Sequence, residues 1–203
     1  MELTKELLER IEGLLEPIKE HIISVELTGS SANPWVKSKN DLDIVFVLDK
    51  EENRLRVIRR FHELFAYPDL RAMGLDIHFV WLPYDYSAKS FAYESMFAQP
   101  LLGYPKAIER VDILKDTNKA RIPIKGLLDF VRQKEKEKGL SIYLNKYWYH
   151  AYTEMCILKN NSYDLTEGQI ERVNMLHDMK PEYNEARKET IDEMIKEIES
   201  WQI

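Results

Sequence analysis

The sequence predicts an α+β protein, with a mixed-sheet front half followed by an all-helical back half. Three observations carry that expectation. Runs with strand character fall at 22–28, 42–48 and 75–81, all in the first half of the chain. A stretch with helical apolar spacing lies between the second and third of them. From about Pro123 onward every apolar pattern is helical. The expected division is a first domain over residues 1–120 and a helical domain over 121–203.

Taken in order, residues 3–20 set Leu3, Leu7, Ile11, Leu14 and Ile18 on one helical face, with Thr4 as cap and Pro17 disturbing the last turn. A strand over 22–28 then delivers the pair Gly29-Ser30. Residues 31–40 are polar and broken by Pro34, which predicts a short helical turn and then a loop. The near-continuous apolar run at 42–48 predicts a central strand covered on both faces. Leu55, Ile58, Phe61, Leu64 and Phe65 predict a helix over 51–67, and a third strand follows over 75–81. A helix is expected near 87–98, and Val111-Asp112-Ile113-Leu114 reads either as a short edge strand or as the end of that unit. Helices are expected at 123–137, 140–159, 166–178 and 182–201, with Thr166 and Gln169 spaced as a capping box.

Bulk composition narrows the function classes. The chain has 203 residues, 44% hydrophobic and 32% charged, ordinary values for a globular protein able to bury a core. A net charge of −6 argues against an extended nucleic-acid track. Lys115, Lys119, Arg121, Lys125, Arg132 and Lys134 form a local basic run, which usually means a solvated helix face. With one cysteine, Cys156, no intramolecular disulfide can form, which suits a reducing compartment. No apolar stretch approaches the roughly 18 residues that span a bilayer, so no membrane association and a cytoplasmic location are expected.

The chemistry concentrates in a short span. A gap of ten residues separates Gly29-Ser30 from Asp41-Leu42-Asp43, at the head of Ile44-Val45-Phe46-Val47-Leu48. A strand places residues i and i+2 on the same face, so Asp41 and Asp43 are expected to point the same way about 6.5 Å apart. Carboxylates that close repel unless a cation sits between them, and an all-oxygen donor set favours magnesium. Asp76, at the start of the third strand, supplies a third carboxylate. His78 shares its face and reads as a structural histidine or as a contact to an acceptor. The Gly29-Ser30 turn offers a bare backbone N–H and a hydroxyl to phosphate, and Ser31 either adds a second hydroxyl or is an ordinary turn serine.

Leu27-Thr28-Gly29-Ser30, the ten-residue gap, Asp41-Leu42-Asp43-Ile44-Val45 and Leu75-Asp76-Ile77 together resemble the nucleotidyltransferase fold of the DNA polymerase β superfamily. The resemblance covers about residues 20–82. It implies that Gly29, Ser30 and Ser31 bind nucleotide phosphates, and that Asp41, Asp43 and Asp76 form the catalytic set. These carboxylates would hold two Mg²⁺ ions, with Mn²⁺ as a substitute. The implied reaction moves a nucleoside monophosphate from a nucleoside triphosphate, ATP by default, to an acceptor with release of pyrophosphate. The acceptor is left open: a small molecule, an RNA end or a protein side chain. The back half is similar to the helical domain of several such transferases, where a helix-borne lysine reaches the triphosphate; Lys146 matches it. The alternative is an antitoxin-like or regulatory nucleotide-binding module acting on a protein partner. Two positions depart from the usual pattern: Asn33-Pro34 stand where a second glycine is common, and Asn40 where serine is common.

Overall fold

The computed structural model describes residues 3–81, 97–107, 113–115, 117–139, 148–178 and 185–200. Its described residues form two compact units. The first comprises 3–34, 38–81 and 97–107; the second comprises 35–37 and the described residues from 113 onward. The class is α+β, with a four-stranded mixed sheet.

The first unit opens with α1 (Lys5–Leu15), capped by Thr4, whose Oγ1 accepts from the Leu7 N–H at 3.2 Å. Pro17 stands at the start of a tighter 3-10 turn, Glu16–His21, so the expected helix over 3–20 ends as two pieces. Strand β1 (Ile22–Thr28) leads directly into α2 (Gly29–Ala32), a single helical turn that contains the Gly-Ser pair. Strand β2 (Leu42–Leu48) follows, then α3 (Glu51–Leu64), α4 (Tyr67–Ala72) and β3 (Leu75–Trp81). The single helix expected over 51–67 is thus two. The first stops at Leu64 because Phe65 and Ala66 adopt extended backbone, and Pro68 stands in the first turn of the second.

The sheet order is β3-β2-β1-β4, where β4 is the two-residue Gln99–Pro100. β1 pairs antiparallel with β2 and β4, whereas β2 and β3 run parallel. Among the described residues the edge strand beside β1 is Gln99–Pro100; of the expected stretch 111–114, residues 111 and 112 lie outside them, and Ile113–Lys115 form a turn. Proline, which lacks an N–H, is tolerated on such an edge. The expected helix near 87–98 lies outside the described residues except for Phe97 and Ala98, which are not helical.

Strand alternation sorts the side chains by face. Val25 and Leu27, the even residues Leu42 to Leu48, and Leu75, Ile77, Phe79 and Trp81 face α1, α3 and α4 in one apolar core. Phe46, Phe61 and Phe79 meet edge to face with centroids 5.0–6.1 Å apart, locking α3 onto the sheet. Ser24, Glu26, Thr28, Asp43, Val45, Asp76 and His78 therefore occupy the opposite face. Val45 and Val47 are also buried, so β2 is covered on both faces as its composition requires.

In the second unit, α5 (Thr117–Lys138), α6 (Trp148–Asn160), α7 (Glu167–His177) and α8 (Glu185–Ser200) share a separate core. Every residue of α6 from Trp148 to Ile157 is buried. The capping box forms as spaced: Thr166 Oγ1 accepts from the Gln169 N–H, and the Gln169 side chain accepts from the Thr166 N–H. Val36 is buried in this core. The Asn174 side chain brackets it, donating to Trp35 O and accepting from Lys37 N, each at 2.8 Å.

Candidate metal centre

Registry builds the site. Thr28 pairs with Asp43 across the antiparallel ladder, and Asp43 pairs with Asp76 across the parallel one, so the three residues stand in one row. The next row up is Glu26, Val45 and His78. Gly74, with φ of 70°, turns the chain out of α4, and its carbonyl accepts from Leu42 N at 2.9 Å. That bond starts the two strands level, which places Asp43 opposite Asp76.

One donor atom each from Asp43, Asp76 and His78 come within 4.8 Å of one another. His78 Nε2 lies 3.7 Å from Asp76 Oδ1, beyond hydrogen-bond range, and their side chains are 41% and 25% exposed. The group is thus open enough for water or substrate to complete a coordination shell.

Gly29 makes the close approach possible. Its φ is +61°, and a Cβ at that position would lie 2.1 Å from Asp43 Oδ2. The Asp43 carboxylate therefore occupies space that only glycine leaves vacant. Ser31 fixes the same residue from behind: its Oγ donates to Thr28 O at 2.9 Å and accepts from Asp43 N at 3.1 Å. Lys39 reaches the turn as well, donating from Nζ to Ser31 O at 2.9 Å.

The residues expected from sequence divide accordingly. Asp43 and Asp76 come together. Asp41 sits at a bend before β2, whose first residue is Leu42, and is not in the group. Strand alternation does not extend to a residue outside the strand, so its side chain is not obliged to share the face of Asp43. Gly29, Ser30 and Ser31 lie buried in α2 beside Asp43. Ser31's hydroxyl braces the β2 backbone, while Ser30 Oγ has no protein partner among the described residues. Lys146 lies outside the described residues.

Two members of this face go beyond the expected set. His78 joins the carboxylates as a possible ligand; its spacing of two from Asp76 is the signal in the sequence. Glu26 is fully buried, accepting from Ser24 Oγ at 2.8 Å and from Ala107 N at 2.6 Å, so it braces the segment after β4. The polar alternation Ser24, Glu26, Thr28 marks it.

The donor set of two carboxylates and one imidazole, with the Gly29 cradle, fits a divalent cation. Among the described residues, no helix is long and apolar enough to cross a membrane. No family model matches this chain, and no curated protein matches it either.

Proposed function

We propose that this chain is a divalent-metal-dependent nucleotidyltransferase of the polymerase β type, moving a nucleoside monophosphate from a nucleoside triphosphate to an acceptor. The observation that carries the reading is the level pairing of Asp43 with Asp76, with the glycine turn at Gly29 pressed against the Asp43 carboxylate. ATP is the default donor because it is the abundant nucleoside triphosphate.

Asp43 and Asp76 would hold the cation, which when bound neutralises charge on the triphosphate and on the departing pyrophosphate. The chain's own groups do the rest. Gly29 and Ser30 present backbone N–H and hydroxyl to the phosphates, and Lys39 adds positive charge beside that turn. Asp76 accepts the proton of the acceptor hydroxyl. The acceptor oxygen bonds to the α-phosphorus, the bond to the α,β-bridging oxygen breaks, and pyrophosphate leaves with the electron pair.

The test supplies each of the four α-labelled nucleoside triphosphates with Mg²⁺ or Mn²⁺ and pooled acceptors: small alcohols and amines, RNA ends, and protein. Label transfer with stoichiometric pyrophosphate, abolished by Asp43→Asn, is the expected result. Triphosphate binding with no pyrophosphate from any of the four refutes transfer and leaves a nucleotide-binding module.

A further inference from the structure

His78 changes what the site should take. Magnesium prefers oxygen donors and near-octahedral water-rich shells, whereas an imidazole nitrogen suits first-row transition ions. In a pure two-aspartate site the residue above Asp76 would be of no consequence to the ion. Here β3 alternation carries His78 onto the same face as Asp76, and the parallel register sets it beside Val45, one pair beyond Asp43. Val45 carries no donor and is buried, and the Asp43 and Asp76 carboxylates lie within 4.8 Å of the imidazole.

Distances agree with a shared ion. Two ligands about 2.1 Å from one cation lie about 3.0 Å apart when adjacent and about 4.2 Å when opposite. The His78 to Asp76 separation of 3.7 Å falls inside that span. The widest separation in the trio is no more than 4.8 Å, which small rotations of these partly exposed side chains close.

We infer that His78 is the third metal ligand, and that the site selects a transition-metal dication over Mg²⁺. This deepens the site on which the proposed transfer rests, but metal binding through His78 does not require the transfer to occur. Mn²⁺ is a strict probe, because it is the weakest binder of the first-row divalent series and the one nearest to Mg²⁺ in its liking for oxygen donors.

The experiment titrates Mn²⁺ and Mg²⁺ calorimetrically into the full chain, and records electron spin-echo modulation of the bound Mn²⁺. Directly coordinated imidazole nitrogen should modulate the echo in the native protein. His78→Gln should remove the modulation and weaken Mn²⁺ by about tenfold or more, while Mg²⁺ affinity moves by less than about threefold. His21→Gln serves as control, since His21 lies 3.4 Å from Glu20 and 3.8 Å from Asp49 and could capture stray metal. Modulation that survives His78→Gln, or Mn²⁺ bound with no nitrogen coupling, overturns the inference. Nitrogen coupling without nucleotide transfer sinks the proposed function alone. Transfer in Mg²⁺ with no nitrogen coupling sinks this inference alone.

Discussion

Gly29→Ala should damage this protein in two separable ways. The backbone there has φ of +61°, and an L-residue in the left-handed region costs about 1–2 kcal/mol. The new methyl would also stand 2.1 Å from Asp43 Oδ2, 2.7 Å from Cγ and 3.1 Å from Cβ, where real contacts do not fall below 3.0 Å. The carboxylate end can rotate clear by most of an ångström. The Asp43 Cβ cannot, because Ser31 Oγ holds the Asp43 backbone N–H. Residual crowding then brings the expected loss to about 2–3 kcal/mol. Rotation of the carboxylate changes its placement against Asp76 and His78, so Mn²⁺ affinity should fall by about tenfold or more. Gly13, inside α1 with nothing within 4 Å of where a methyl would stand, is the internal control. Gly13→Ala should stabilise by about 0.5–1 kcal/mol and leave metal binding alone. Urea unfolding and Mn²⁺ titration of both variants give the comparison. A Gly29→Ala protein with native stability and native Mn²⁺ affinity would refute the argument that glycine there makes room for the carboxylate.

Two further outcomes concern the helical unit. Glu154 is fully buried in α6, its Oε2 has no hydrogen-bond partner among the described residues, and burial pushes its carboxyl well above the usual range. Below the ordinary carboxylate value both folded and unfolded states are protonated and no penalty exists. Above it the unfolded chain ionises first, so stability falls as pH rises. Glu154→Gln should therefore raise the melting temperature at pH 8, with the gain vanishing near pH 4; an equal gain at both pH values would contradict the burial of an acid. Cys156 is buried in the same helix, and its thiol is pushed up to about 11, first by burial. It should resist a disulfide reagent at pH 8 in the native state and react promptly in denaturant, whereas rapid native labelling would show the helix opens.

Much of this molecule is legible in local pattern. Strand and helix periods are properties of neighbouring residues, so β1, β2, β3, the helical back half and the Thr166 capping box are visible in sequence. The Gly29-Ser30 turn and the Asp43 and Asp76 carboxylates are visible for the same reason, since each stands at the end of an apolar run. Helix α3 ends early because Phe65 and Ala66 turn extended ahead of the Pro68-bearing first turn of α4, a break that the apolar spacing of Leu64 and Phe65 masks. Gln99–Pro100 is not legible, because two residues have no period and a strand that short exists only by pairing with β1.

What tertiary structure alone decides is which side chains share the ion-sized space. Sequence spacing ranks Asp41 with Asp43, but the ladder begins at Leu42 and Asp41 falls outside it. The Gly74 turn and the parallel register instead put Asp76 level with Asp43 and carry His78 along one pair further. A chain states which residues alternate; only the offset between two strands, set by hydrogen bonds distant in sequence, states which alternating residues meet.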